Sequence, residues 1–136
     1  MLEQWRADQL LTVSKVYNAT LGVSLRPGVG EDYPVESDDG DDHFLLDVWS
    51  SPRNLRKARF QLRYRRDIVL ARLRTAKPHS NPDGADVGWT HLNLYREGDH
   101  DKWASEVGPF EDVFAALQFF CKRINLPAPE IQGGSR

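Results

Sequence analysis

A chain of 136 residues has room for one hydrophobic core and is too short for two comfortable ones, so it reads as a single domain. With 40 % hydrophobic and 28 % charged residues it is ordinary soluble globular material, which excludes disorder of the whole chain. The net charge of −2 hides a segregation: ten Lys/Arg and one acid lie between Arg53 and Lys77, and seven acids with no base lie between Glu31 and Asp42.

No apolar run approaches the roughly 20 residues that cross a bilayer, and Met1-Leu-Glu-Gln-Trp-Arg-Ala-Asp lacks the apolar centre of a secretory signal. The single cysteine, Cys121, excludes an internal disulfide and fits a reducing compartment; the expected location is cytoplasmic, with no membrane partner.

Leu2, Trp5, Leu10, Val13, Val16 and Tyr17 recur at helical spacing and predict an amphipathic helix over 2–18. Val23 to Arg26 predicts a short extended piece. From 27 to 42 the composition turns to Gly, Pro and acids, predicting an acidic mobile loop. His43-Phe-Leu-Leu-Asp-Val-Trp49 is an apolar run of strand length and predicts the first strand.

Between 59 and 74, Phe60, Leu62 and Tyr64 alternate with Arg59, Gln61, Arg63 and Arg65. A turn at Arg66-Asp67 would set Tyr64 opposite Val69, Leu62 opposite Ala71 and Phe60 opposite Leu73. The other face would then hold Arg59 opposite Arg74, Gln61 opposite Arg72 and Arg63 opposite Leu70. A one-residue slip would bury arginines, which favours this register. In the third strand, 89–96, Leu92 and Leu94 take the core side, while Trp89, His91, Asn93 and Tyr95 face away from it. Gly98 to Asp101 predicts a turn, and 102–107 a loop or short edge strand. Pro109, with Glu111 and Asp112 following, predicts the start of a second helix whose stripe includes Phe110, Phe114, Leu117 and Phe120.

These elements predict an α+β domain over 1–126: an antiparallel β-meander of about four strands, with an N-terminal and a C-terminal helix packed on one face. Residues 127–136 form a tail expected to be disordered.

The opposite sheet face is the candidate site. Arg59, Arg63, Arg65, Arg72 and Arg74 beside Trp89 and Tyr95 suit nucleic acid, because guanidinium groups pair with phosphates while rings stack on bases. Solvated strand arginines, or arginines paired with the acidic segment, are the plainer explanation. His79 and His91 could act as acid and base, with Arg96 and its neighbours on phosphate charge, as in a metal-independent ribonuclease. A metal site from His79, His91 and Asp83 or Asp86 lacks tight ligand spacing, so neither metal nor cofactor is expected. Cys121 lies on the apolar stripe of the second helix and reads as core. No GxSxG, P-loop or dinucleotide fingerprint appears.

The runs Gln61-Leu-Arg-Tyr-Arg-Arg, Pro78-His-Ser-Asn-Pro-Asp-Gly, His91-Leu-Asn-Leu-Tyr-Arg-Glu-Gly and Asp101-Lys-Trp-Ala104 resemble an uncharacterised prokaryotic and phage domain, over roughly residues 43–124. That domain has His-Leu-His where this chain has His91-Leu92-Asn93, which leaves His79 with His91 as the pair. More remotely, the strand-loop-strand unit resembles the TumE-type toxins. The resemblance implies an RNA-directed component of a bacterial or phage conflict system, with an antitoxin or a defence or anti-defence component as protein partner. The alternative is a non-enzymatic inhibitor module that uses Asp38, Asp39, Asp41 and Asp42 to bind a basic protein.

Overall fold

The hairpin that the arginine pattern predicts lies at the middle of a seven-stranded antiparallel sheet. A computed structural model describes residues 2–18, 22–54, 56–75, 79–80, 86–87 and 90–131. In chain order the elements are α1 (Gln4–Thr12), β1 (Lys15–Tyr17), β2 (Glu31–Ser37), β3 (His43–Ser50), β4 (Ala58–Tyr64) and β5 (Ile68–Arg74). They continue with β6 (His79–Ser80), β7 (Asp86–Val87), β8 (His91–Arg96), β9 (His100–Glu106) and α2 (Val113–Arg123). The sheet order is β1-β2-β3-β4-β5-β8-β9, and β6 and β7 make a separate two-stranded ribbon. The α+β class is as expected, but the sheet is wider than the meander of about four strands.

Two of the added strands come from sequence that reads otherwise. Residues 31–37, expected within an acidic loop, form β2 between β1 and β3. Tyr33, Val35 and Ser37 are buried in alternation with Asp32, Pro34 and Glu36, which is the period of a half-buried strand. The expected first helix is cut at Thr12; Val13 takes an extended conformation, and Lys15–Tyr17 pair with Val35–Ser37. Residues 102–106 of the expected loop or edge strand, with His100 and Asp101 of the expected turn, form a full strand, β9, paired with β8.

The hairpin register holds for Arg59↔Arg74, Phe60↔Leu73, Gln61↔Arg72 and Leu62↔Ala71, then shifts so that Arg63 pairs with Val69 and Tyr64 with Ile68. The turn therefore spans three residues, Arg65–Asp67, with Arg65 and Arg66 at φ of 53° and 71°. Leu70 is the extra residue on its strand, and both Leu70 and Ala71 are fully buried.

Phe44, Leu46, Val48, Phe60, Leu62 and Leu73 are buried in one core with Leu10, Leu117 and Phe120. The Phe60 and Phe120 rings lie 6.3 Å apart, α1 contacts β5 and β8, and α2 contacts β4. α2 begins at Val113, later than the Pro109 signal, because Asp112 takes the N-cap position and its Oδ1 accepts from the Ala115 N–H at 2.8 Å. At the C-terminal end, Ile131 bridges Val23, whose N–H donates to the Glu130 carbonyl at 2.8 Å. Residues 127–131 of the expected tail are thus held, and 132–136 lie outside the described residues.

Candidate nucleic-acid interface

Cross-strand partners share a sheet face, so the register lays out the polar side row by row. One row runs Asp32–Asp47–Gln61–Arg72–Asn93, and the next runs Trp49–Arg59–Arg74–His91–Glu106. The first row is a connected network. Arg63, two residues along β4 from Gln61 on the same face, grips Asp47 with two hydrogen bonds, Nε to Oδ2 at 2.6 Å and Nη2 to Oδ1 at 2.7 Å. Its Nη2 also lies 3.4 Å from Asp32 Oδ2. Gln61 donates to Asp47 and accepts from Arg72 Nε at 2.8 Å.

The two carboxyls are driven apart in proton affinity. Burial opposes ionisation of Asp47, yet the hydrogen bonds from Arg63, Asp32 and Gln61 outweigh it and hold the group below the usual range. The hydrogen bond to Asp47, then burial and the Asp47 charge, push Asp32 up.

Not every expected residue joins this face in an accessible form. Arg59 does: it is exposed, with its guanidinium 5.9 Å from the Trp49 ring centroid. Arg63 is occupied by Asp47, and Arg72 and Arg74 are half-buried on the same side. Arg65 leaves the face, because the three-residue turn places it at the tip, 5.1 Å over the Tyr64 ring.

His91 was expected on the open side. Alternation puts it in the row with Arg74, but it is fully buried, and Asn93 is 3 % exposed. Tyr95, expected as a stacking ring, is also buried and donates its hydroxyl to the Leu2 carbonyl at 2.6 Å. Arg96 lies elsewhere: it stacks on Trp103 at 4.1 Å, in a groove of about 580 Å³ shared with Gln4 and Asp8. The backbone of His79 pairs with Val87 in the β6–β7 ribbon, and β7 contacts β9. The His79 side chain, Asp83 and Trp89 lie outside the described residues, as does the Asp86 side chain. The structure therefore does not bring His91 and Arg96 together on an accessible surface.

The four acids of the alternative reading divide. Asp42 pairs with Arg6 at 2.7 Å, and Asp39 accepts from the Ser37 hydroxyl and the Asp41 N–H within its turn. Asp38 and Asp41 face solvent. Burial pushes the Cys121 thiol up to about 11, as befits a core residue. Among the described residues no three His, Cys, Asp or Glu side chains are placed to hold a metal.

Three residues that pattern reading did not assign a role complete the surface around Arg59. Arg53, Arg56 and Lys57 sit in the β3–β4 loop, at the end of the sheet where Trp49 pairs with Arg59. Among the described residues, none of Arg53, Arg56, Lys57 and Arg59 forms an ion pair. Their density was visible in the sequence, and their separation from Arg63, which Asp47 neutralises, was not. Beside them is a groove of about 290 Å³ lined by Trp49, Arg59, Asp32, Asp47, Gln61 and Arg63, with Gly30 at its edge.

The fold and surface define an α+β protein built on a broad antiparallel sheet, and no helix among the described residues is long and apolar enough to cross a membrane. The chain belongs to DUF6978, a family of unknown function, whose model matches residues 2–126. That match extends well beyond the 43–124 region in which the motifs lie. No curated protein and no solved structure matches the chain.

Proposed function

We propose that this protein binds single-stranded RNA through the basic end of its sheet. The observation that carries the reading is the set Arg53, Arg56, Lys57 and Arg59: four cations without ion pairs among the described residues, beside a half-exposed Trp49. Phosphates take the cations and a base takes the indole, the combination that single-strand binders use. Full burial of His91 and the remote position of Arg96 favour binding over the two-histidine ribonuclease. The setting we propose is a bacterial or phage conflict system, after the remote resemblance of the strand-loop-strand unit to TumE-type toxins, with an antitoxin or a defence or anti-defence component as partner.

The test is fluorescence anisotropy with labelled single-stranded RNA at increasing salt. Four phosphate contacts at about −0.7 each give a slope of about −3 in log K against log salt. The variant Arg53→Glu/Arg56→Glu/Lys57→Glu/Arg59→Glu should abolish binding while retaining the wild-type urea midpoint. Absence of binding at low salt, or an unchanged affinity in the quadruple variant, overturns the reading.

A further inference from the structure

We infer that the groove beside Trp49 is a base-reading site that selects guanine, with Asp32 as the specificity-determining residue. The inference rests on the RNA-binding reading above and adds a sequence preference to it. The groove lies between β2, β3 and β4, next to the exposed cations, and its volume of about 290 Å³ is at the small end of ligand sites, suited to one planar base.

The indole of Trp49 supplies the stacking surface. Arg59 stands 5.9 Å from its centroid, at the outer limit of cation–π contact, and its exposed side chain is free to swing toward a phosphate as a base enters. The rim at Gly30 has room to spare, since a Cβ built there would meet only the Trp49 ring, at an ordinary contact distance of 3.8 Å.

The polar wall decides which base fits. Asp47 has both oxygens engaged by Arg63 and further bonds from Gln61 and Asp32, so it is spent as an acceptor. Glu31 accepts the Tyr33 hydroxyl. Asp32 is different: its side chain is 60 % exposed and its closest cation is the Arg63 nitrogen at 3.4 Å, which is already committed to Asp47. The hydrogen bond it gives goes to Asp47, which Arg63 and Gln61 already hold, so a ligand with better donors can take its place and leave both Asp32 oxygens as acceptors in the groove. Two adjacent N–H donors would satisfy both. Among the four bases only guanine presents two neighbouring donors on its Watson–Crick edge, N1–H and the N2 amine; adenine, cytosine and uracil each present one donor group there.

The experiment compares labelled U8 with octamers carrying one central guanosine, adenosine or inosine. Wild-type protein should bind the guanosine octamer about 10-fold or more tightly than the adenosine octamer, a discrimination typical of a bidentate base contact. Inosine, which lacks the N2 amine, should fall between them. In Asp32→Asn, which offers one acceptor and one donor, the preference should collapse to about 2-fold or less; its urea midpoint reports that the fold is kept. Equal binding of all octamers by the wild type, or a guanosine preference that survives Asp32→Asn, overturns the guanine site and leaves RNA binding standing. Failure of every octamer to bind at low salt overturns both, as does capture of an arginine-rich peptide in place of RNA.

Discussion

Lys15 is fully buried, and its ammonium donates to the carbonyls of Leu11, Val13 and Ile124 at 3.0, 3.0 and 2.6 Å. The first two carbonyls are at the end of α1 and the third follows α2, so one cation closes both helix C-termini, 5.2 Å from the Phe44 ring. Substitution by Met fills the space but leaves those carbonyls without a donor, at an expected cost of about 2 kcal/mol in urea unfolding. Burial pushes the Lys15 ammonium down to about 7, against about 10.4 in an unfolded chain. Between those values the unfolded chain holds the proton that the folded chain has released. Stability from this group should therefore rise with pH across that window and be lost as pH falls through about 7. Urea midpoints of the wild type at pH 7, 8.5 and 10 should rise by more than those of Lys15→Met, and parallel curves would remove Lys15 as the cause. Arg63 gives a second expectation at this scale. In Arg63→Ala, Asp47 keeps its burial and its neighbour Asp32 while losing two charge-assisted bonds. Stability at pH 7 should drop by about 1–3 kcal/mol, and part of that loss should be regained near pH 4, where the carboxyls take up protons.

At the scale of elements, α2 illustrates a boundary set by one side chain. Pro109 and the acids after it mark a helix start in sequence, but the residue that satisfies the first turn is Asp112, through the Ala115 N–H. Asp112→Ala should lower the urea midpoint by the equivalent of about 1 kcal/mol with an unchanged m-value, and Asp112→Asn should be nearly silent. The hairpin was legible because both of its faces alternate, apolar on one side and Arg or Gln on the other, so only one register avoids burying charge between Arg59 and Leu62. The shift past Leu62 was not legible. The turn takes an extra residue with Arg65 and Arg66 at positive φ, and neither is the glycine or asparagine that announces such a turn. β2 was hidden in another way: Asp32, Pro34 and Glu36 dominate the local composition, although Tyr33, Val35 and Ser37 between them carry the period of two. In β1, Val16 and Tyr17 happen to continue the helical spacing of Leu10 and Val13. What breaks α1 is a tertiary preference, the pairing of Lys15–Tyr17 with β2 and the capping by Lys15, which no local pattern encodes.

Across the whole molecule, alternation reports which side of the sheet a residue occupies and is silent on what lies over that side. His91 and Asn93 fall in the rows with Arg74 and Arg72 as their sequence positions require, and both are nonetheless buried. The excess of cations between Arg53 and Lys77 was plain, yet the sequence could not tell Arg63, taken by Asp47, from Arg59, which stays exposed; that distinction depends on β3 lying beside β4 and β2 beyond it. The same long-range logic applies to the chain end. Val23 is fully buried and its N–H depends on the Glu130 carbonyl, Tyr17 donates its hydroxyl to the Pro127 carbonyl at 3.2 Å, and Ile131 packs against the core. A chain cut after Leu126 keeps the family-matched region but loses a donor's partner inside the core and one apolar cover. Each of those losses is worth about 1–3 kcal/mol. Deletion of 127–136 should therefore lower the urea unfolding free energy by about 2 kcal/mol or more and speed amide exchange at Val23, whereas deletion of 132–136 alone keeps all three contacts and should cost less and leave exchange at Val23 slow. Equal behaviour of the two truncations would mean that the strand-like return past Val23 contributes nothing to holding the sheet and helices together.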